Sequence, residues 1–123
     1  MVLITGPLYS GKRAFARAEF GLTEGDFSPA FPCNAPAVCE AQALAAGLSG
    51  DGLTALADAL AQTQVVTCSE VGGGVVPIDP QQRADREAAG HLAQLLAARA
   101  DRVVRVWCGL PQELKGPGAD KLR

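Results

Sequence analysis

Short apolar stretches alternate with longer segments of helical periodicity along this chain of 123 residues. Apolar, β-branched residues dominate residues 2–5, 64–68 and 102–107, which is typical of buried strands. Residues 80–100 predict the longest helix, because apolar side chains recur on one face at helical spacing. Shorter helices are predicted over residues 14–20 and 53–61. Strands joined by helices predict an α/β fold with a small, mainly parallel sheet flanked by helices.

The regions between these elements carry weaker signals. Residues 21–36 contain five glycines and prolines, so a connection without an element of its own is predicted. Residues 37–39 fit either a brief strand or the entry to a helix, and residues 40–46 predict a helix. Asp51 is a candidate cap for the helix that follows.

The end of the chain reads as strand termination followed by a tail. Gly109-Leu110-Pro111 predicts that the last strand stops there. The length fits one domain, which we expect to span residues 1–116. The polar residues 117–123 are expected to form a fraying C-terminal tail.

A glycine-rich loop follows the first strand. Residues 6–12 match the pattern G-x-x-x-x-G-K, with a strand before it and a helix after it. Glycines let the loop N–H groups converge on an anion, the helix N-terminus adds its dipole, and Lys12 adds a charge on the β- and γ-phosphates. This predicts a phosphate-binding loop of the kind found in nucleotide-binding proteins, with Lys12 also a catalytic candidate. The predicted phosphate-binding residues of the loop are Gly6, Pro7, Tyr9, Ser10, Gly11, Lys12 and Arg13.

The residue after Lys12 departs from the motif. Ser or Thr normally stands there and its hydroxyl ligates Mg²⁺, whereas this chain has Arg13. Two unit charges ~4 Å apart interact by about 4 kcal/mol at an effective dielectric near 20, so Arg13 would oppose a metal ion. Arg13 either turns to solvent and leaves a weakened Mg²⁺ site, or binds phosphate in place of the metal, or is an ordinary surface residue of the helix.

A second glycine loop, residues 69–77, follows the predicted strand 64–68. Ligands of parallel sheets bind beyond the carboxyl ends of strands, so both glycine loops are expected at one edge. Glu70 is the predicted catalytic residue of this loop, because it lies between a strand and the glycines. No metal-ligating cluster is predicted, because the four cysteines lack ligand spacing.

The second half resembles the bifunctional adenosylcobinamide kinase / adenosylcobinamide-phosphate guanylyltransferase family of cobalamin biosynthesis. The matching segments are Glu70-Val71-Gly72-x-Gly74-Val75-Val76-Pro77, then Arg83, Arg86, Gly90 and Gln94, then Gly109-Leu110-Pro111. In the first half, Ser10-Gly11-Lys12 matches the family's phosphate loop. The resemblance implies a P-loop NTPase-like fold and a bound GTP or ATP, with Gly72 of the second loop as a further nucleotide-binding residue. It also implies a corrinoid substrate and self-association into a homo-oligomer.

Departures from the family narrow the expected activity. The middle of the chain is shorter, and the missing part holds the family's guanylylated histidine. His91, the single histidine, replaces a family arginine, so it is read as an exposed helix residue and guanylyl transfer as lost. Glu40 is either a remnant of the family's acidic strand end or, more simply, a solvated glutamate at a helix start. Two functions remain open: a retained kinase, or a catalytically impaired nucleotide-binding, regulatory or oligomer-forming relative.

Charge and hydropathy exclude other classes of partner. The net charge of −2 gives no basic field for nucleic acid. No apolar run approaches the roughly 20 residues of a membrane span, and the first strand leaves no room for a signal peptide. We therefore expect a cytoplasmic protein whose four cysteines are free thiols.

Overall fold

A six-stranded sheet forms the centre of the computed structural model, which describes residues 1–70 and 79–117. The strands are β1 (Val2–Gly6), β2 (Phe27–Ser28), β3 (Ala37–Val38), β4 (Val65–Ser69), β5 (Arg102–Trp107) and β6 (Leu110–Lys115). The helices are α1 (Lys12–Phe20), α2 (Asp51–Leu60) and α3 (Pro80–Arg99), with short 3₁₀ helices at Glu24–Asp26 and Ala41–Ala45. The strand order is β2-β3-β4-β1-β5-β6.

The strand that precedes the glycine loop lies inside the sheet. β1 pairs in parallel with β4 on one side and β5 on the other, so that Gly6 lies beside Ser69. β2, β3 and β4 also pair in parallel, whereas β6 runs antiparallel to β5. Because β1, β3 and β4 point the same way, their carboxyl ends meet at one edge.

Two apolar cores cover the faces of this sheet. On one face, Leu3, Val66 and Val103 pack with apolar residues of α2 and α3, among them Leu53 and Leu92. On the other, Ile4, Val65, Val104 and Val106 pack with Ala16 of α1. The predicted P-loop-like α/β fold is confirmed: the sheet is mostly parallel and has helices on both faces.

The C-terminal hairpin corrects the prediction that the chain stops forming strands at Gly109. Trp107 pairs with Leu110, and the two residues between them, Cys108 and Gly109, have φ of 52° and 75°. Two positive φ values in a two-residue loop are the pattern that suits the twist of a hairpin. Gly109 therefore reverses the strand, and Pro111 is tolerated because β6 is an edge strand.

Three smaller expectations also change, and one open alternative is resolved. The connection over residues 21–36 contains β2, and of the two alternatives for residues 37–39 the structure has the strand, β3. Residues 40–46 form a 3₁₀ helix at Ala41–Ala45. Gly50, rather than Asp51, occupies the cap position of α2, and Asp51 is its first helical residue.

The described residues test some of the remaining expectations and leave others untested. The four cysteines lie in the described residues and are free. Among those residues no helix combines the length and the apolar character needed to cross a bilayer. The second glycine loop beyond Glu70, including Gly72, and the tail beyond Pro117 lie outside the described residues.

Candidate functional site

The glycine loop after β1 is tightly fitted to the neighbouring strand. Gly6 has φ of 148°, and a Cβ at this position would collide with the carbonyl oxygen of Val106 and lie 2.8 Å from Ser10 Oγ. Gly11 has φ of 98°. Both glycines are therefore required by backbone conformation, and Gly6 also by space.

The turn of the C-terminal hairpin braces the loop from the other side. The Gly109 N–H donates a hydrogen bond to the Ser10 carbonyl over 2.7 Å. A Cβ on Gly11 would lie only 3.2 Å from the Gly109 Cα. The loop is thus held between the start of its own helix and a turn far along the chain.

Lys12 is a buried cation that has no carboxylate partner within the described part of the chain. Lys12 is only 6% exposed, and its Nζ donates a hydrogen bond to the Pro7 carbonyl at 2.7 Å. No ion pair of Lys12 is present among residues 1–70 and 79–117. A buried ammonium is costly unless an anion compensates it, and two of its three donors have no partner in residues 1–70 and 79–117.

Ser10 provides a second unsatisfied polar group. Its Oγ is buried and has no hydrogen-bond partner in the described part of the chain. An unpaired buried hydroxyl costs about 1–3 kcal/mol. Together with Lys12, this donor fits an anion at the loop, so the residues present suit the phosphates of a nucleotide.

A cleft of about 310 Å³ opens beside the loop. Tyr9, which has φ of 58°, is fully exposed at its rim, and Thr67 and Glu40 face it from β4 and the end of β3. The residues that line the cleft are Tyr9, Ser10, Gly11, Lys12, Arg13, Ala14, Glu40 and Thr67. The loop residues predicted to bind phosphate, apart from Gly6 and Pro7 at its base, therefore lie around one space.

Glu40 is the carboxylate of this cleft. Its Oε2 accepts hydrogen bonds from Ser69 Oγ at 2.7 Å and Gln42 Nε2 at 2.6 Å, and its N–H donates to Thr67 Oγ1 at 3.1 Å. Its backbone is left-handed, with φ of 55°, which is uncommon for a residue with a Cβ. The simple reading of Glu40 as a solvated glutamate at a helix start is therefore replaced by a fixed, half-buried acid.

A sequence signal for Glu40 exists but is weak. It stands two residues beyond a short apolar segment, and carboxyl ends of parallel strands collect functional groups. The charge of Glu40 also affects a thiol of β4. The pKa of Cys68 is raised to about 11, mainly because the thiol is buried and secondly because the Glu40 carboxylate is near.

Glu70 has a different environment. Its two carboxylate oxygens accept from Arg105 Nε at 2.6 Å and from the Arg105 NH2 group at 3.0 Å, and the guanidinium stacks 4.7 Å from the Trp107 ring centroid. The hydrogen bonds from Arg105 lower the pKa of Glu70, with smaller contributions from the charges of Arg105 and Lys12. Glu70 is outside the set of residues that line the cleft.

Arg13 lines the cleft, but its guanidinium is engaged elsewhere. One terminal nitrogen donates to Glu24 Oε2 at 3.0 Å and the other to Cys39 Sγ at 3.1 Å. The guanidinium carbon lies 5.1 Å from the Phe27 ring centroid. Exposed ion pairs contribute about 0–1 kcal/mol and exposed cation–π contacts about 0.5–1 kcal/mol, so this arrangement can be displaced.

The donors for a metal ion are few. Within the described ranges, no group of three or more His, Cys, Asp and Glu side chains could hold one. Mg²⁺ commonly binds through one or two carboxylates together with substrate phosphates. In this chain the usual loop hydroxyl is replaced by Arg13, so a Mg²⁺ ion would depend mainly on the phosphate oxygens, with the Glu40 carboxylate across the cleft.

His91 lies in a separate place. It is exposed on α3 and borders a second cleft, of about 250 Å³, with Ser49 and Glu87. It is not among the residues around Lys12. The exposed helix position expected for His91 is therefore observed.

Comparison with known proteins gives an independent line of evidence. Residues 39–114 match the family model for cobinamide kinase / cobinamide phosphate guanyltransferase. The match spans well over half of the chain, from the end of β3 into β6, and does not include the loop at residues 6–13. A search of curated proteins found no match. The chain belongs to the cobinamide kinase / cobinamide phosphate guanyltransferase family, a nucleotide-binding family of cobalamin biosynthesis.

Proposed function

We propose that residues 6–12 bind the phosphates of GTP or ATP and that the chain transfers the terminal phosphoryl group to a corrinoid acceptor of the cobinamide type. The single observation that carries this proposal is the buried Lys12 ammonium, whose one partner among the described residues is the Pro7 carbonyl. The Ser10 hydroxyl, which has no hydrogen-bond partner among the described residues and belongs to the same loop, supports the same ligand. A polyanion would compensate both groups.

Phosphoryl transfer requires positioning and charge neutralisation rather than a covalent intermediate. The loop N–H groups and Lys12 supply donors and positive charge to the phosphates. Across the cleft, Glu40 is fixed by Ser69 and Gln42 and can accept a proton from the acceptor hydroxyl. A bound Mg²⁺ would add neutralisation of the phosphate oxygens.

Guanylyl transfer through a histidine is not part of the proposed activity. His91 borders a different cleft from the one that Lys12 lines. Incubation with labelled GTP is expected to leave no covalent nucleotide on the protein, and a stable label on His91 would contradict this.

The test of nucleotide binding compares two lysines. Lys12→Ala is expected to weaken GTP or ATP binding by roughly 10- to 100-fold in calorimetry, because a charge-assisted hydrogen bond is lost. Lys115→Ala is the matched control, since Lys115 contacts the Ala97 and Ala98 carbonyls at the surface. Equal affinities of the two variants would overturn the assignment of the loop.

A second candidate, nucleotide binding without turnover, is favoured by one observation: an arginine stands where the metal-ligating hydroxyl is expected. A coupled assay with ATP or GTP, adenosylcobinamide and Mg²⁺ separates the two functions. Turnover above the Lys12→Ala background supports the kinase. Tight nucleotide binding without turnover supports the impaired relative.

A further inference from the structure

We propose that Glu24 is a positioning residue that holds Arg13 away from the phosphates and so keeps the cation position of the loop open for Mg²⁺. This inference rests on the proposed nucleotide binding and adds a determinant of metal dependence that lies outside the phosphate loop. It concerns a feature of this chain, the arginine directly after Lys12.

The guanidinium of Arg13 is contacted from three different elements. Glu24 belongs to the first 3₁₀ helix, Cys39 follows β3, and Phe27 begins β2. Of these three contacts, the one with Glu24 joins two opposite charges, at 3.0 Å. Cys39 and Phe27 surround the guanidinium, and the ion pair with Glu24 stabilises Arg13 in this position.

Glu24 is suited to this task because its carboxylate is not needed for its own helix. The local cap is made by Thr23 and Asp26: the Thr23 N–H and Oγ donate to Asp26 Oδ2 at 2.7 and 3.0 Å. The two oxygens of Glu24 instead accept from Arg13 and, at 2.6 Å, from Arg17. Replacing this carboxylate therefore leaves the cap in place.

Release of Arg13 would have two opposite effects on nucleotide binding. Arg13 lines the cleft, so a freed guanidinium can reach phosphate oxygens and strengthen binding without metal. The same cation would repel Mg²⁺ and reduce the gain that the metal provides. A merely structural defect would weaken both kinds of binding, so the signs distinguish the two explanations.

The experiment is calorimetry of GTP and ATP with Mg²⁺ and with EDTA, on wild type and Glu24→Gln. For Glu24→Gln we expect affinity in EDTA to rise by about threefold and the Mg²⁺ enhancement to fall by about the same factor, the scale of an exposed ion pair. Circular dichroism and thermal unfolding check that the variant is folded.

Two backgrounds sharpen this test. Arg17→Gln removes the other partner of Glu24 and leaves the Arg13 contact, so neither affinity should change in the direction seen for Glu24→Gln. In an Arg13→Ser background, Glu24→Gln should have no effect on either affinity. The positioning role is overturned if Glu24→Gln leaves both affinities unchanged, if it lowers both, or if its effect persists in the Arg13→Ser background. Nucleotide binding by the loop stands in each of these cases. If the wild type binds neither nucleotide, both proposals are overturned.

Discussion

Two neighbouring strands, β3 and β4, end at the same edge of the sheet, and each is followed by a glutamate. Glu70 adjoins a glycine loop in sequence, yet both of its oxygens are occupied by Arg105. Glu40 has no glycine loop beside it, yet it lines the cleft that contains Lys12 and has one oxygen, Oε1, without a hydrogen bond to the described residues. The difference teaches that the neighbouring cation, rather than the neighbouring loop, decides which carboxylate is available for chemistry.

The largest expected effect separates the two acids by activity. Glu40→Gln should lower phosphoryl transfer to adenosylcobinamide by roughly 100-fold, because the variant keeps the shape but loses the proton acceptor. Glu70→Gln should stay within about threefold of wild type, since Arg105 already neutralises Glu70. Steady-state rates at saturating nucleotide measure both, and a larger loss in the Glu70 variant would reverse the comparison.

A stability comparison follows from backbone conformation. Glu40 has φ of 55°, so Glu40→Gly should be more stable than Glu40→Ala by about 1 kcal/mol, because glycine adopts the left-handed region without strain. Glu70 does not have a positive φ, so Glu70→Ala should be at least as stable as Glu70→Gly. Urea denaturation of the four variants provides the measurement. A more stable Glu40→Ala would contradict the left-handed backbone at this position.

The smallest effect concerns pH. The pKa of Glu70 is lowered in the folded chain, so the unfolded chain takes up its proton first as pH falls. The stabilisation is present above the unfolded value, near 4.3, and is lost as pH falls through the folded value. Its size is under about 1 kcal/mol, because the pair is partly exposed. Urea unfolding between pH 6 and pH 3 should show a smaller decline in the free energy of unfolding for Glu70→Gln than for wild type. Equal declines would contradict the stabilising contribution of the pair with Arg105.

The sequence predicted the central fold well because its strongest patterns coincide with the core. The strand at residues 102–107 and the long helix from residue 80 are set by apolar periodicity, and both are observed with nearly the predicted bounds. β6 was missed because its residues alternate weakly and include Pro111, and because Cys108-Gly109 is not the Asn-Gly or Asp-Gly signal of a tight hairpin.

The site was predictable only as far as local sequence determines it. The loop at residues 6–12 is one continuous segment, so its glycines and Lys12 can be recognised from the sequence, although the turn at Gly109 that braces it cannot. The contacts of Glu40 with Ser69, and of Arg13 with Glu24 and Cys39, join separate elements through the strand order, which a single sequence does not specify. The acid that lines the cleft and the position of the arginine could therefore be read only from the assembled sheet.

The hydrogen bond between Gly109 and Ser10 also bears on the order in which the chain acquires its function. During synthesis the phosphate loop leaves the ribosome well before the turn that braces it. A nascent chain in which β5 and β6 are not yet made would carry the complete G-x-x-x-x-G-K sequence without the backbone brace that holds it. Under the proposed function, nucleotide binding therefore waits for this hairpin, and nucleotide retention would report whether the hairpin has been added.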